Sequence, residues 1–582
     1  LVARGTPDKY AGRKIREILD GDVARQFREQ YPTLADRAPT MREMGEAFRR
    51  KTSGEDPFGL YSKMINHYVP ENLFDALTGE MKGFGAAWEA LPLYKTFLTF
   101  KGLTQAGKTV FSPVTQVRNF TSASFFALHN GHIGTPFGKN PHSFTDIVRA
   151  HLDEVFPPGV KITKDSARKY LEQSRLRSIE LGVTQSNPMA REIEDLFVDI
   201  AAGKSRHSST QAIFKKLIDS PTFQKSQELY MKGDDIWKHF GWLFTQSQLR
   251  QALPKNPGFN VSARKLYAEL FNKEFNFTTG TGVAKTYDEV VEEFAAQFVK
   301  NTYPNYNYVP QFVKDMRRLP LGNFISFPAE ILRTSANLMK FSAKMMASEN
   351  PVIRQMGAKS FVGQAMGFST GATLATASLS AIGMSRDEYN SFRETQVPEW
   401  NRFSDLIMLS RADKPDGNVV YRYVPFSYQN PYEYLQAPFY ALAGEMAAGK
   451  KVGADWDDRV LTAMGSAFMR VFEPFIDESI LTELLADVTV RGGQPRRGGR
   501  IYPEGAPVGD KLWAMFGHVM GGIQPGVFTQ GGRFMQAVAG EKTRYGKQYT
   551  IGDEALAVFA GVRVYDADLS NNLNFSYNDF AR

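Results

Sequence analysis

Apolar residues recur at helical spacing through most of this chain, and strand-like alternation is rare. From Pro328 to Ser348 the pairs Ile331/Leu332, Leu338/Met339 and Met345/Met346 repeat by sevens, with Arg333, Lys340 and Lys344 on the other side. That pattern predicts an amphipathic helix, packed on a core or laid on an anionic surface. Ser220 followed by Pro221 is a helix start, opening a long pattern through Leu249 that contains Trp237 and Trp242. Asp288–Lys300 continues in the same style, and Lys9–Gln30 is a charged amphipathic stretch carrying Ile15, Ile18, Leu19, Val23 and Phe27. The best strand signal is Leu406–Ser410 with Val419–Val424 around the Asp416-Gly417 turn. The expected fold is mainly α: a multi-domain, extended helical assembly with at most a small β-hairpin. Its expected divisions are a basic helical segment at 1–55, a helical domain with long loops at 56–219, a helical core at 220–385, and a C-terminal helical domain at 386–582.

Between Lys359 and Arg386 the residues from Ser360 to Ser385 carry no charge. Within them Gly363, Gly367, Gly371 and Ala375 fall at every fourth position, so a helix here presents a smooth seam that lets another backbone approach closely. Its length also suffices to cross a bilayer core, for which about 20 residues are needed. Because the stretch is rich in Ser, Thr, Gly and Ala, a helix buried in a large protein or an oligomer reads the same way. Both readings stand at this point. If the helix inserts, Arg354 and Lys359 favour leaving its N-terminal side cytoplasmic.

At 582 residues the chain can bury a sizeable core. A net charge of +8 permits contact with nucleic acid or anionic lipid but is diffuse over this length. The absence of cysteine excludes disulfides, thiolate catalysis and Cys-based metal sites. The chain opens on Leu1 without a signal-peptide pattern, and reads as the interior of a longer polypeptide.

Gly102 to Thr109 match the phosphate-loop pattern G-x-x-x-x-G-K-T, in which Lys108 would reach phosphate oxygens and Thr109 would hold magnesium. Pro113 and the lack of alternating β and α elements argue for a chance loop. His129, His132, His142 and His151 cluster near Asp146 and Asp153, without metal-site spacing, and read as surface or capping histidines. The acid pairs Asp234/Asp235, Glu292/Glu293 and Asp477/Glu478 are too close in sequence to face one cleft as acid and base. Arg491, Arg496, Arg497 and Arg500, set among glycines, form either a solvated linker or a mobile set of phosphate contacts. No catalytic residue, metal or cofactor is assigned.

Five blocks carry a family texture: GKTVFSPVTQVRNF from Gly107, PNYNYVP from Pro304, NFISFPAEILR from Asn323, the Arg386–Tyr389 and Pro398–Trp400 pair, and the Glu478–Gly493 region. Over residues 100–540 the chain resembles the very large virion-associated proteins of tailed bacteriophages, marine ones especially. The resemblance implies an internal virion or ejection protein, located in the virion interior and, after ejection, in the host cell envelope. It would help the genome cross that envelope by forming or lining a conduit. The implied partners are other core, portal or tail proteins, phage DNA, the host inner membrane and further copies of the chain. The alternatives are an envelope-degrading or nucleotide-processing module of such a protein, and a soluble scaffold inside the particle.

Overall fold

The computed structural model describes residues 101–132, 143–153, 162–187, 220–310, 324–432 and 501–570, short gaps within these ranges apart, together with a few isolated positions. The expected Lys9–Gln30 helix lies outside them. The described chain is mainly α with a small three-stranded antiparallel sheet, besides a two-residue ladder between Ala3–Arg4 and His67–Tyr68.

Helices α1 (Pro113–His129), α2 (Phe144–Leu152) and α3 (Asp165–Glu180) surround α4 (Pro221–Ala252), a 32-residue helix that forms the spine. Ser220 caps α4 by accepting from Phe223 N, and Pro221 occupies the first turn, where no amide is needed. Most of α4 from Tyr230 to Leu249 is buried, because α1, α2, α6 (Tyr287–Thr302) and α8 (Pro351–Ile382) all pack on it. α5 (Phe259–Phe271) leans on α7 (Ser326–Met346). The main core joins Trp242, Phe294, Phe298, Ile331, Phe341 and Ile353.

α7 and α8 form a helical hairpin. Asn350 caps α8, its side-chain oxygen accepting from Val352 N and Ile353 N, while its amide donates to Ala252 O at 2.8 Å at the end of α4. Gly357 then admits α7: a Cβ there would sit 2.6 Å from Met346 N and 2.8 Å from Ser342 O. Along α7 the first member of each repeated pair, Ile331, Leu338 and Met345, is buried, whereas Leu332 and Met346 are half-buried and Met339 is exposed. Arg333, expected on the opposite polar side, is instead buried. It forks onto Glu330 at 2.6 and 2.7 Å and donates to Lys300 O at 3.0 Å, closing the C-terminal end of α6.

The far half of α8 rests on strand β1 (Leu406–Asp413), which pairs with β2 (Val419–Pro425) in the expected hairpin around Gly417 at φ +80°. Helix α9 (Arg386–Thr395) covers it, giving a second core of Leu379, Tyr389, Phe392, Leu406 and Tyr421. A third strand, β3 (Tyr565–Asp568), adds to the free edge of β2 in the order β1-β2-β3. Between them in sequence, α10 (Val508–Ile523), α11 (Gly526–Ala539) and α12 (Ile551–Ala560) follow, with α11 and α12 returning to α1.

Asn350 both caps α8 and ties it to α4, so Asn350→Ala is expected to lower stability by about 1–3 kcal/mol, combining a lost cap with a carbonyl left unpaired. Urea denaturation of the variant and the parent chain measures this, and Asn350→Asp, which restores only the cap, is expected to recover part of the loss.

Candidate functional site

The seam predicted at Gly363, Gly367, Gly371 and Ala375 lies on α8 with all four residues buried. Its first two glycines meet the C-terminal end of α1. A Cβ at Gly363 would fall inside the Leu128 carbonyl oxygen, and one at Gly367 would fall on the His129 ring at Nε2. Gly371 faces the Asp405 carboxylate and the Phe426 ring, and Ala375 joins the second core. The approach is reciprocal: Gly131, at φ +70°, leaves room for the backbone of Lys359 and Ser360, 2.6 Å from where its Cβ would be. Ser360 Oγ donates to His129 O at 3.1 Å across the same contact.

Three of the clustered histidines are interior, not surface or capping groups; His142 lies outside the described residues. Their hydrogen bonds fix the tautomers. Ser174 Oγ donates to Leu171 O, so it accepts from His239 Nε2 at 3.0 Å; His239 Nδ1 then accepts from His151 Nε2 at 3.0 Å. The chain links α2, α4 and α3 and ends at His151 Nδ1, buried without a donor. A second chain follows the same logic. Thr245 Oγ1 donates to Gly241 O and accepts from His132 Nε2 at 3.3 Å, while His132 Nδ1 accepts from Tyr303 OH at 2.9 Å. His129 stacks on Tyr432 at 3.7 Å with Phe368 at its edge. Burial pushes His129, His132 and His239 down to about 3 and His151 well below its usual 6.5, so all four are neutral.

Asp234 and Asp235 are both buried on α4. Asp234 pairs with Lys238 one turn on at 2.6 Å, and Lys238 donates to Ser186 Oγ at 3.0 Å. Asp235 accepts from Gln185 N at 2.7 Å, holding a non-glycine residue at φ +57°. Burial raises both carboxyls against the pull of Lys238, Asp235 to about 6. Of the other acid pairs, Glu292 meets Arg177 at 3.0 Å and Glu293 meets Lys285 at 2.6 Å, while Asp477 and Glu478 are outside the described residues.

The phosphate-loop match does not form a loop. Residues 101–102 and 104–108 are helical, Thr109 N and Oγ1 both donate to Gln105 O, and the amides needed for a phosphate cradle are engaged along the helix. Arg491, Arg496 and Arg497 lie outside the described residues, and Arg500 is half-buried. Among the described residues no helix is long and apolar enough to cross a membrane, and α8 with its Ser, Thr and Gly content falls short for that reason. No group of three metal-ligating side chains occurs among the described residues. Open cavities among them include a groove of about 490 Å³ between α5 and the α7–α8 turn, and a pocket of about 220 Å³ beside α12. Neither is lined by the buried histidines or by Asp234 and Asp235. Spacing alone could have exposed two of the missed ion pairs, Asp234–Lys238 at i, i+4 and Glu330–Arg333 at i, i+3. His239, sixty-odd positions from Ser174 and farther from His151, had no such signal. No protein-family model, curated protein or solved structure matches this chain.

Gly367→Ala is expected to destabilise the fold by about 1–3 kcal/mol through overpacking on His129. Adding His129→Ala to Gly367→Ala should restore part of that, and a thermodynamic cycle across the four proteins should show coupling on the order of 1 kcal/mol. A second expectation concerns pH. The unfolded chain takes up imidazole protons near 6.5 while the folded chain refuses them until far lower, so this stability is full above 6.5 and is lost as pH falls. Each histidine contributes a slope of about 1.4 kcal/mol per pH unit. Asp235 acts oppositely below about 6, offsetting roughly one histidine. Urea midpoints should hold level from about pH 7.5 to about pH 7 and fall as pH drops below about 6.5 toward 5, less steeply in His239→Gln.

Proposed function

We propose that this chain is a structural, non-enzymatic component of a tailed-phage particle, stored with the genome and assisting its passage through the host envelope. The observation that carries this reading is the outer side of α8. While the seam is buried, Phe361, Val362, Met366 and Leu374 on the same helix are exposed, Phe361 by 58%, and Met339 of α7 adds to them. Apolar side chains gathered on the outside of a helix mark a surface made to be covered. In the proposed role the cover is a neighbouring virion protein or a further copy of the chain, and the Arg491–Arg500 loop faces DNA. The interior polar groups support the same reading: Lys238, His239 and Glu330 are engaged with other helices and loops, as a load-carrying scaffold requires.

Val362→Glu with Met366→Glu leaves the buried face untouched, so the unfolding free energy of the isolated chain is expected to stay within about 0.5 kcal/mol of the parent. Phage carrying the pair should assemble without this protein, or adsorb normally and fail to deliver DNA, read by particle composition and by genome entry. Full infectivity with normal incorporation would remove the assignment.

A further inference from the structure

Where α1, α11, α12 and β3 meet, cations gather in excess of the acids around them. Arg533 on α11 and Arg563, between α12 and β3, line the pocket of about 220 Å³ together with Gln548, Tyr549 and Thr550. Among the described residues neither guanidinium has an ion pair, and Arg563 Nε is buried without an acceptor. Arg118 stands behind Arg563. Its Nε donates to Gly561 O at 2.6 Å, its guanidinium lies 4.4 Å from the centre of the Tyr428 ring, and its Nη2 is buried without an acceptor. Lys108 completes the group. Burial holds its ammonium below the ordinary lysine range, with Arg533 adding to the effect, and burial with the nearby Arg533 does the same to Arg563.

The acids nearby do not balance these charges. Asp553 and Asp566 also line the pocket and share Arg422, at 2.5 and 3.3 Å, so the three together leave one negative charge. Glu554, itself buried, is the remaining carboxylate on the pocket wall. Counting Arg422, five cations stand against three carboxylates among the described residues of this region, and the two charges in excess repel their neighbours. An anion in the pocket would offset that repulsion. Two guanidinium forks suit a tetrahedral oxyanion with oxygens on several sides. Thr550 Oγ1 already accepts from Asp553 N at 3.1 Å, which leaves its proton to donate.

We propose that this pocket binds a phosphate group, with Arg533 and Arg563 taking its oxygens and Thr550 donating a further hydrogen bond. The phosphate belongs either to a free inorganic ion or to a nucleic-acid backbone, and the two sources are separable. Thermal unfolding and calorimetric titration of the whole chain with inorganic phosphate, and separately with a short single-stranded oligonucleotide, read binding by each. Phosphate or the oligonucleotide should raise the midpoint of the parent chain. Arg533→Gln and Arg563→Gln should weaken binding about tenfold, the loss of one charge-assisted contact. Arg533→Gln should also unfold at a higher temperature than the parent in anion-free buffer, since one repelling charge is gone; Arg533→Lys, which keeps the charge, should not. Arg264→Gln, an exposed cation on α5, should titrate as the parent does. The proposal is overturned if neither probe shifts the parent chain, or if the Arg533, Arg563 and Arg264 variants all respond equally.

Discussion

The structure turns on how closely α8 can approach the end of α1. His132 N donates to Ala127 O and Gly131 takes a left-handed conformation, a glycine-terminated helix end. Because Gly131 has no side chain, the backbone at Lys359 and Ser360 passes directly over it, and because Gly363 and Gly367 have none either, Leu128 O and the His129 ring seat against the helix. The same turn aims His132 inward to Tyr303 and Thr245, on the loop after α6 and on α4. One tight crossing thus fixes the spacing of α1 and α8 and, through His132, their relation to α4 and α6.

That closeness makes a polar interior workable. At the crossing itself backbones this near leave little volume for branched aliphatic side chains, and hydroxyls, imidazoles and short ion pairs lie beside the apolar core, their hydrogen bonds running in one direction from donor to acceptor. Such pairs add little net stability, since desolvation offsets most of the attraction, yet removing one partner costs about 3–5 kcal/mol. Their effect is on register. Lys238 reaches Ser186 and Arg333 reaches the carbonyls ending α6 only when the helices sit at one longitudinal offset. An apolar core of the same volume would accept several offsets, so the polar groups specify the arrangement that the glycine crossing permits.

How much of this was legible in the chain depended on how local its cause is. The start of α4 at Ser220-Pro221, the buried repeat of α7 and the Asp-Gly hairpin each follow from neighbours in sequence, and the structure carries them. The fourfold spacing near residue 367 showed that a helix there would have a smooth side, but not that α1 would lie against it. Arg333 was placed on the wrong side because periodicity treats every charge as solvent-seeking, and its Glu330 partner sits only a turn away. The histidines were misplaced for a related reason: their burial depends on acceptors in α3, α4 and the loop after α6. Strand β3 comes more than a hundred residues after its partner β2, beyond the reach of any turn signal. The cations around Arg563 converge from separate elements and were invisible one at a time.

The lack of charge along α8 has two separable causes. On the buried side it follows from the crossing, since any longer side chain at Gly363 or Gly367 collides with α1 before its polarity matters. A large residue placed in the seam would therefore break the fold before it tested any role in assembly. On the exposed side the fold imposes no such condition: lysine or glutamate at 362, 366 or 374 would meet only solvent, as charged residues do at the start of the same helix, where Arg354 is exposed. An exposed helix surface that forgoes charge for so long, and carries Phe361 and Met366 instead, is what the proposed cover by a neighbouring virion protein or a further copy would require.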